Sequence, residues 1–163
     1  MTYPKIVETK ATIRFQDCDP FNHLNNGRYI DYFMNHREDV LIKHYKIDIY
    51  KLARTIGKSW VSGSNQIAYL RPAHTMENIV IESQLLKFDK SNIWVEMRMY
   101  NEDKTELKSV FWAQVVHFDL LKQRRAIHNE EHMNLFKSIL NPIEQTTFEE
   151  RIRHVKSNMY QSV

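Results

Sequence analysis

The stretch Asp17-Cys18-Asp19-Pro20-Phe21-Asn22-His23-Leu24-Asn25-Asn26-Gly27-Arg28-Tyr29 decides how this sequence folds. Pro20 cannot continue a hydrogen-bonded ladder, and the Asp and Asn residues around it favour turns. Upstream, residues 7–16 alternate. Val7, Thr9, Ala11, Ile13 and Phe15 point one way, and Glu8, Lys10, Thr12, Arg14 and Gln16 the other, which predicts a half-buried strand. Downstream, Asn25 or Asn26 serves as the N-cap of a helix reaching about Tyr45. Its apolar stripe is Ile30, Phe33, Met34, Val40 and Leu41. Arg37 falls inside that stripe. A charge there needs a carboxylate partner or a subunit interface, unless its stem packs and its head reaches water.

Beyond the helix, a connector with a short helix near Ile49–Arg54 leads to a run of strands. These are expected near Ser59–Leu70, Asn78–Phe88, Asn92–Tyr100 and Leu107–Asp119. Their short connections imply antiparallel pairing. Val110–Val116 is apolar on both faces and reads as a central, covered strand. Helices near Glu130–Leu140 and Thr147–Tyr160 close the chain, the last one charged and on the surface. The order is strand, long helix, four antiparallel strands. It predicts an α+β layer architecture with helices on one face of the sheet, which must wrap the long helix.

Bulk properties fit one soluble domain of 163 residues, with 42% hydrophobic and 26% charged residues. A core of about 5–140 with a helical tail over 141–163 is expected. The net charge of +3 is too small to imply nucleic acid. The single cysteine, Cys18, leaves no internal disulfide. The polar start and the absence of an apolar run of about 20 residues make cytoplasmic location the default and membrane insertion unexpected.

The opening stretch is also the densest in chemistry. It sets two carboxylates, a histidine and two carboxamides just before a helix whose first turn carries free N–H groups and partial positive charge. Such a terminus can polarise a carbonyl, and a nearby carboxylate can act as base or nucleophile. The same residues are also ordinary capping and turn chemistry.

The stretch resembles the signature of 4-hydroxybenzoyl-CoA-type thioesterases, a hot-dog superfamily. Their pattern is an Asp, a short loop often ending His-Val-Asn-Asn, and a Tyr in the helix. Here Asp19, His23-Leu24-Asn25-Asn26 and Tyr29 match it without gaps. Tyr69-Leu70-Arg71-Pro72-Ala73 followed by Ile79-Val80-Ile81 resembles the family's second strand, Arg-Pro-Ala turn and third strand. One departure is Met76-Glu77, where the family usually carries Gly-Asp.

The resemblance implies an antiparallel sheet of about five strands wrapped around the helix. It also implies dimers or tetramers with active sites between subunits, and acyl-CoA hydrolysis without cofactor or metal. Asp19 would be the catalytic carboxylate, and the backbone N–H of Asn26 would hold the carbonyl oxygen. His23 and Asn25 would shape the loop or orient substrate. Tyr29 matches a substrate-site position but is expected to pack rather than react. Asp17 is expected to support the loop. CoA carries phosphates, so a basic rim is expected from Lys87, Lys90, Lys122, Arg124 and Arg125, unless these are simply solvated loops. Acyl-carrier-protein thioesters are an alternative substrate, and a non-catalytic acyl-CoA-binding module is an alternative role. A hot-dog hydratase is disfavoured by the asparagine pair. His128-Asn129-Glu130-Glu131-His132 fits a zinc-protease pattern, but Asn129 reads as an N-cap there and no third ligand is evident. Cys18 is expected to be packed and unreactive beside two carboxylates.

Overall fold

The computed structural model describes residues 2–161. It contains β1 (Ile6–Thr12), α1 (Tyr29–Tyr45), α2 (Ile49–Ile56), β2 (Lys58–Tyr69), β3 (Asn78–Phe88), β4 (Asn92–Asn101), β5 (Leu107–Asp119), β6 (Arg124–Arg125), α3 (Glu130–Ile139) and α4 (Phe148–Gln161). The sheet runs β1-β3-β4-β5-β2, with β6 added to the end of β5 and every pairing antiparallel. β5 lies between β4 and β2, as its two apolar faces require. The edges are β1 and β2.

α1 fills the concave face. Ile79 and Ile81 of β3, Met97 and Met99 of β4, and Phe111 and Ala113 of β5 pack with Tyr29, Tyr32 and Phe33 into one buried cluster. Their alternation along each strand is the period of two that sends every second side chain inward. Phe33 stacks on Phe111 with ring centroids 5.1 Å apart. A second cluster at the far end joins Leu85, Ile93 and Val115 to Phe136 and Ile139 of α3.

Three details differ from the sequence reading. β1 stops at Thr12, four residues early, because Ile13 N–H donates to Glu77 O and a 3₁₀ turn follows at Phe15–Asp17; Phe15 is therefore exposed. The buried stripe of α1 is Tyr29, Tyr32, Phe33, His36 and Val40. Ile30, Met34, Arg37 and Leu41 lie on a half-buried flank beside it. Finally, the helices do not all share a face. α4 covers the other side of the sheet. There Arg151 forks onto Glu96, with Nε and Nη2 each 2.8 Å from a carboxylate oxygen, and Phe148 meets Trp112. Glu96 is fully buried and also pairs with Arg98, which pairs in turn with Glu82. Among the described residues no helix is long and apolar enough to cross a membrane.

Candidate active site

The loop between β1 and α1 is built from the backbone outward. Asp19 N–H donates to His23 O at 2.8 Å, and Asn22 N–H donates to Asp19 O at 3.1 Å. Asn22 closes this turn at φ +62°, a conformation Asn tolerates better than most residues. The Asp19 carboxylate braces it, since Oδ1 accepts from Phe21 N–H at 2.9 Å and His23 N–H at 3.1 Å. Oδ2 of Asp19 has no partner among the described residues.

The turn is zipped onto the segment before β3. Leu24 N–H donates to Ala73 O at 2.7 Å, Thr75 N–H donates to Asn22 O at 2.9 Å, and the His23 and His74 rings meet edge to face. Met76 sits at φ +64°, in the left-handed region where glycine is easiest. Met76-Glu77 thus keeps a glycine-type turn without the glycine, at a cost of about 1–2 kcal/mol. Met76 N–H donating to Ile13 O, and Glu77 Oε1 accepting from His74 N–H, offset that strain.

Asp17 points elsewhere. Its Oδ2 accepts from the Tyr32 hydroxyl at 2.6 Å, and that hydroxyl accepts from Arg14 N–H at 2.9 Å. Burial and the adjacent Asp17 push the Tyr32 hydroxyl up to about 12, so it stays a donor. Asp17 is a strut between the loop and the helix.

Asn25 does not cap α1 itself but a 3₁₀ turn, Asn26–Arg28, that leads into it; its side-chain oxygen accepts from Gly27 N–H at 3.0 Å, and Arg28 at the N-cap position of α1 makes no side-chain cap bond. Arg28 N–H donates to Asn25 O. The N–H of Asn26 has no acceptor among the described residues, while its carbonyl accepts from the Tyr69 hydroxyl at 3.0 Å. One exposed amide and one uncommitted carboxylate oxygen therefore belong to the same short loop at the positive end of α1. Tyr29 is only 2% exposed and its hydroxyl accepts from Ala73 N–H, which makes it a packing residue that ties helix to loop.

The expected basic rim is not beside this loop. β3 starts next to it and Lys87 lies nine residues on, about 30 Å away at the usual strand rise. Lys90, Arg124 and Arg125 are at that same far end, since Asp119↔Arg124 pairs there. Lys87 sits over the Trp94 ring at 4.3 Å, and the other three are exposed. Within one chain these cations lie at the opposite end of the sheet from the Asp19 loop.

The far end holds groups that the sequence reading did not assemble. An apolar cavity of about 100 Å³ lies between the C-terminal half of α1, the sheet and α3, with Trp60, Leu41, Val115 and Phe136 in its wall and Arg37 on its lining. Arg37 forms no ion pair among the described residues, and the expected carboxylate partner is not found among them. Beside the cavity, Trp60 stacks on His117, and its indole N–H donates to Nε2 of His128. Burial lowers the basicity of His117, His128 and His132, taking His117 to about 4. His128 is thus consumed by an aromatic cluster, and among the described residues no group of three or more His, Cys, Asp or Glu side chains is placed so that it could hold a metal ion. Cys18 is half-buried and its thiol donates to Arg14 O.

A family model described as the thioesterase-like superfamily matches residues 13–153. No curated protein matches. Among solved structures, a 1,4-dihydroxy-2-naphthoyl-CoA thioesterase from Synechocystis superposes with a TM-score of 0.73 at 10% identity, over 82% of this chain and 95% of that one. A probable thioesterase from Escherichia coli gives 0.70 at 21% identity, over 82% and 98%. A Staphylococcus aureus protein solved in complex with CoA gives 0.76 at 14%, over 90% and 91%. At these identities the structural likeness establishes a shared fold, a curled antiparallel sheet around a central helix.

Proposed function

We infer that this chain, which belongs to the thioesterase-like superfamily, hydrolyses acyl-CoA thioesters with Asp19 as its catalytic carboxylate. The observation that carries this reading is that an uncommitted Asp19 Oδ2 and a free Asn26 N–H belong to one short loop leading into α1. A thioester lying between them has its carbonyl oxygen on the amide and its carbonyl carbon toward the carboxylate. Attack by a water that Asp19 deprotonates, or by Asp19 itself, moves negative charge onto that oxygen, where the amide and the helix end stabilise it. Collapse breaks the C–S bond and releases CoA thiolate and the acid, directly in the first case and after hydrolysis of an anhydride in the second. His23 shapes the loop against His74. Asn25 has committed its side-chain oxygen to the cap, leaving only its amide nitrogen for substrate.

A dimer reconciles the distant cations with this site. β2 is an edge strand whose middle, residues 62–66, is exposed. Two copies paired edge to edge through β2 about a two-fold axis run antiparallel. The Tyr69 end of one, which carries the Asn26 contact, then lies beside the Lys58 end of the other, with Lys122, Arg124 and Arg125 nearby. A CoA phosphate bound there would belong to a site shared between subunits.

The test is thiol release from a panel of acyl-CoAs by native protein and Asp19→Ala. The variant is expected to lose at least ~100-fold in rate. Unchanged release by folded Asp19→Ala would reject the assignment. Release from acyl-carrier-protein thioesters alone would move the substrate class. No release from either would favour a binding module.

A further inference from the structure

The cavity behind α1 has one unusual wall. Its polar groups are satisfied within the chain with a single exception. The Tyr45 hydroxyl donates to Pro4 O, the Trp60 indole donates to His128, Ser83 is bonded to His36, and Gln84 donates to Asn141 O. Arg37 is the exception. Its Nε is buried with no hydrogen-bond partner among the described residues, on the lining of a cavity whose other walls are almost wholly apolar. Arg37 as a whole is half-buried, but a buried N–H donor without an acceptor is costly and favours a ligand that supplies one. The flat guanidinium fork suits a carboxylate as well as a phosphate, and of the two a singly charged carboxylate on a short hydrocarbon is the one that apolar walls accept.

We propose that this cavity binds a small apolar carboxylate, with the hydrocarbon inside it and the carboxylate on Arg37. A cavity of about 150 Å³ can hold a benzene ring, so this one takes a short chain of a few carbons. The site bears on function through the reading above, because an apolar acid is what thioester hydrolysis releases. The antiparallel dimer also turns this end of one subunit toward Asp19 of the other. Arg37 then retains the product acid, and thioester turnover is slowed as that acid accumulates. The binding itself does not depend on the reaction.

The experiment titrates hexanoate and hexan-1-ol into the full chain, followed by calorimetry and by Trp60 fluorescence. Native protein is expected to bind hexanoate at least tenfold more tightly than the alcohol. Arg37→Met should abolish that preference while keeping the alcohol. Leu135→Trp, which fills the cavity from α3, should weaken both ligands. Equal binding of acid and alcohol by native protein, or a preference that survives Arg37→Met, would overturn the proposal. So would dissociation of a native dimer by Arg37→Met in sedimentation, because the guanidinium would then belong to the subunit interface. A native protein that binds hexanoate as described but releases no thiol would leave this site standing and remove the thioesterase reading alone.

Discussion

Acidification should weaken this protein through one histidine at its centre. His36 lies on the buried face of α1 and is 2% exposed. Its Nδ1 is 2.7 Å from the Thr9 hydroxyl of β1, and its Nε2 is 2.8 Å from the Ser83 hydroxyl of β3. A neutral ring offers one donor and one acceptor, so one hydroxyl gives a proton and the other takes one. Burial, reinforced by His44 and opposed by Glu82, lowers its pKa to about 4 from the ordinary 6.5. The folded state thus resists a proton that the unfolded chain accepts. A lowered folded pKa contributes stability that is present above 6.5 and lost as pH falls through 4. Between pH 7 and pH 4.5 the loss is about 2 kcal/mol from this group alone. The assay is urea denaturation of native protein and His36→Gln at both pH values. Glutamine keeps a donor and an acceptor but does not titrate, and the carboxylates and His117 cancel in the comparison. The stability advantage of the native protein should shrink by about 2 kcal/mol on acidification. Parallel pH curves for the two proteins would show that His36 is not the neutral, buried bridge described above.

Two further outcomes follow from the loop and from the outer face. Tyr32→Phe removes the bond to Asp17 and leaves Arg14 N–H without its acceptor. It should cost about 1–2 kcal/mol in denaturation and about tenfold in thiol release, through a loosened Asp19 loop; full activity would mean that Asp17 and Tyr32 do not position the loop. Arg151→Met strips one cation from Glu96, which is wholly buried. A loss of about 3 kcal/mol in denaturant titration is expected, partly recovered by adding Glu96→Gln, whereas an unchanged midpoint would mean that α4 is not anchored through this pair.

The elements were legible because their signals are local. Asn25 caps the 3₁₀ turn that leads into α1 by the reach of its own side chain over two residues. Pro20 and Asn22 mark a turn whatever surrounds them. The strand boundaries at Phe88 and Asn92 flank the polar turn Asp89-Lys90-Ser91, which interrupts the apolar runs on either side. The end of β1 was not legible, because Ile13 continues the alternation and leaves the ladder only when Glu77 offers it a carbonyl. His36 escaped notice for a related reason. A histidine in a helix reads as polar until Thr9 and Ser83, from distant strands, satisfy both of its nitrogens.

The sequence alone settled the period of each segment, the turn before α1, and the set of polar groups gathered at that turn. These depend on steric and hydrogen-bonding preferences spanning only a few residues. Tertiary structure decided what each carboxylate braces, with Asp17 Oδ2 held by the Tyr32 hydroxyl and Asp19 Oδ1 by the N–H groups of its own turn. It also placed Lys87, Lys90, Arg124 and Arg125 at the end of the sheet away from Asp19, and put Arg37 on an apolar cavity with no ion-pair partner among the described residues. Periodicity assigns a side chain to a face. It does not say how far along a strand two residues lie in space, or which edge stays open, because those follow from the pairing of segments remote in sequence.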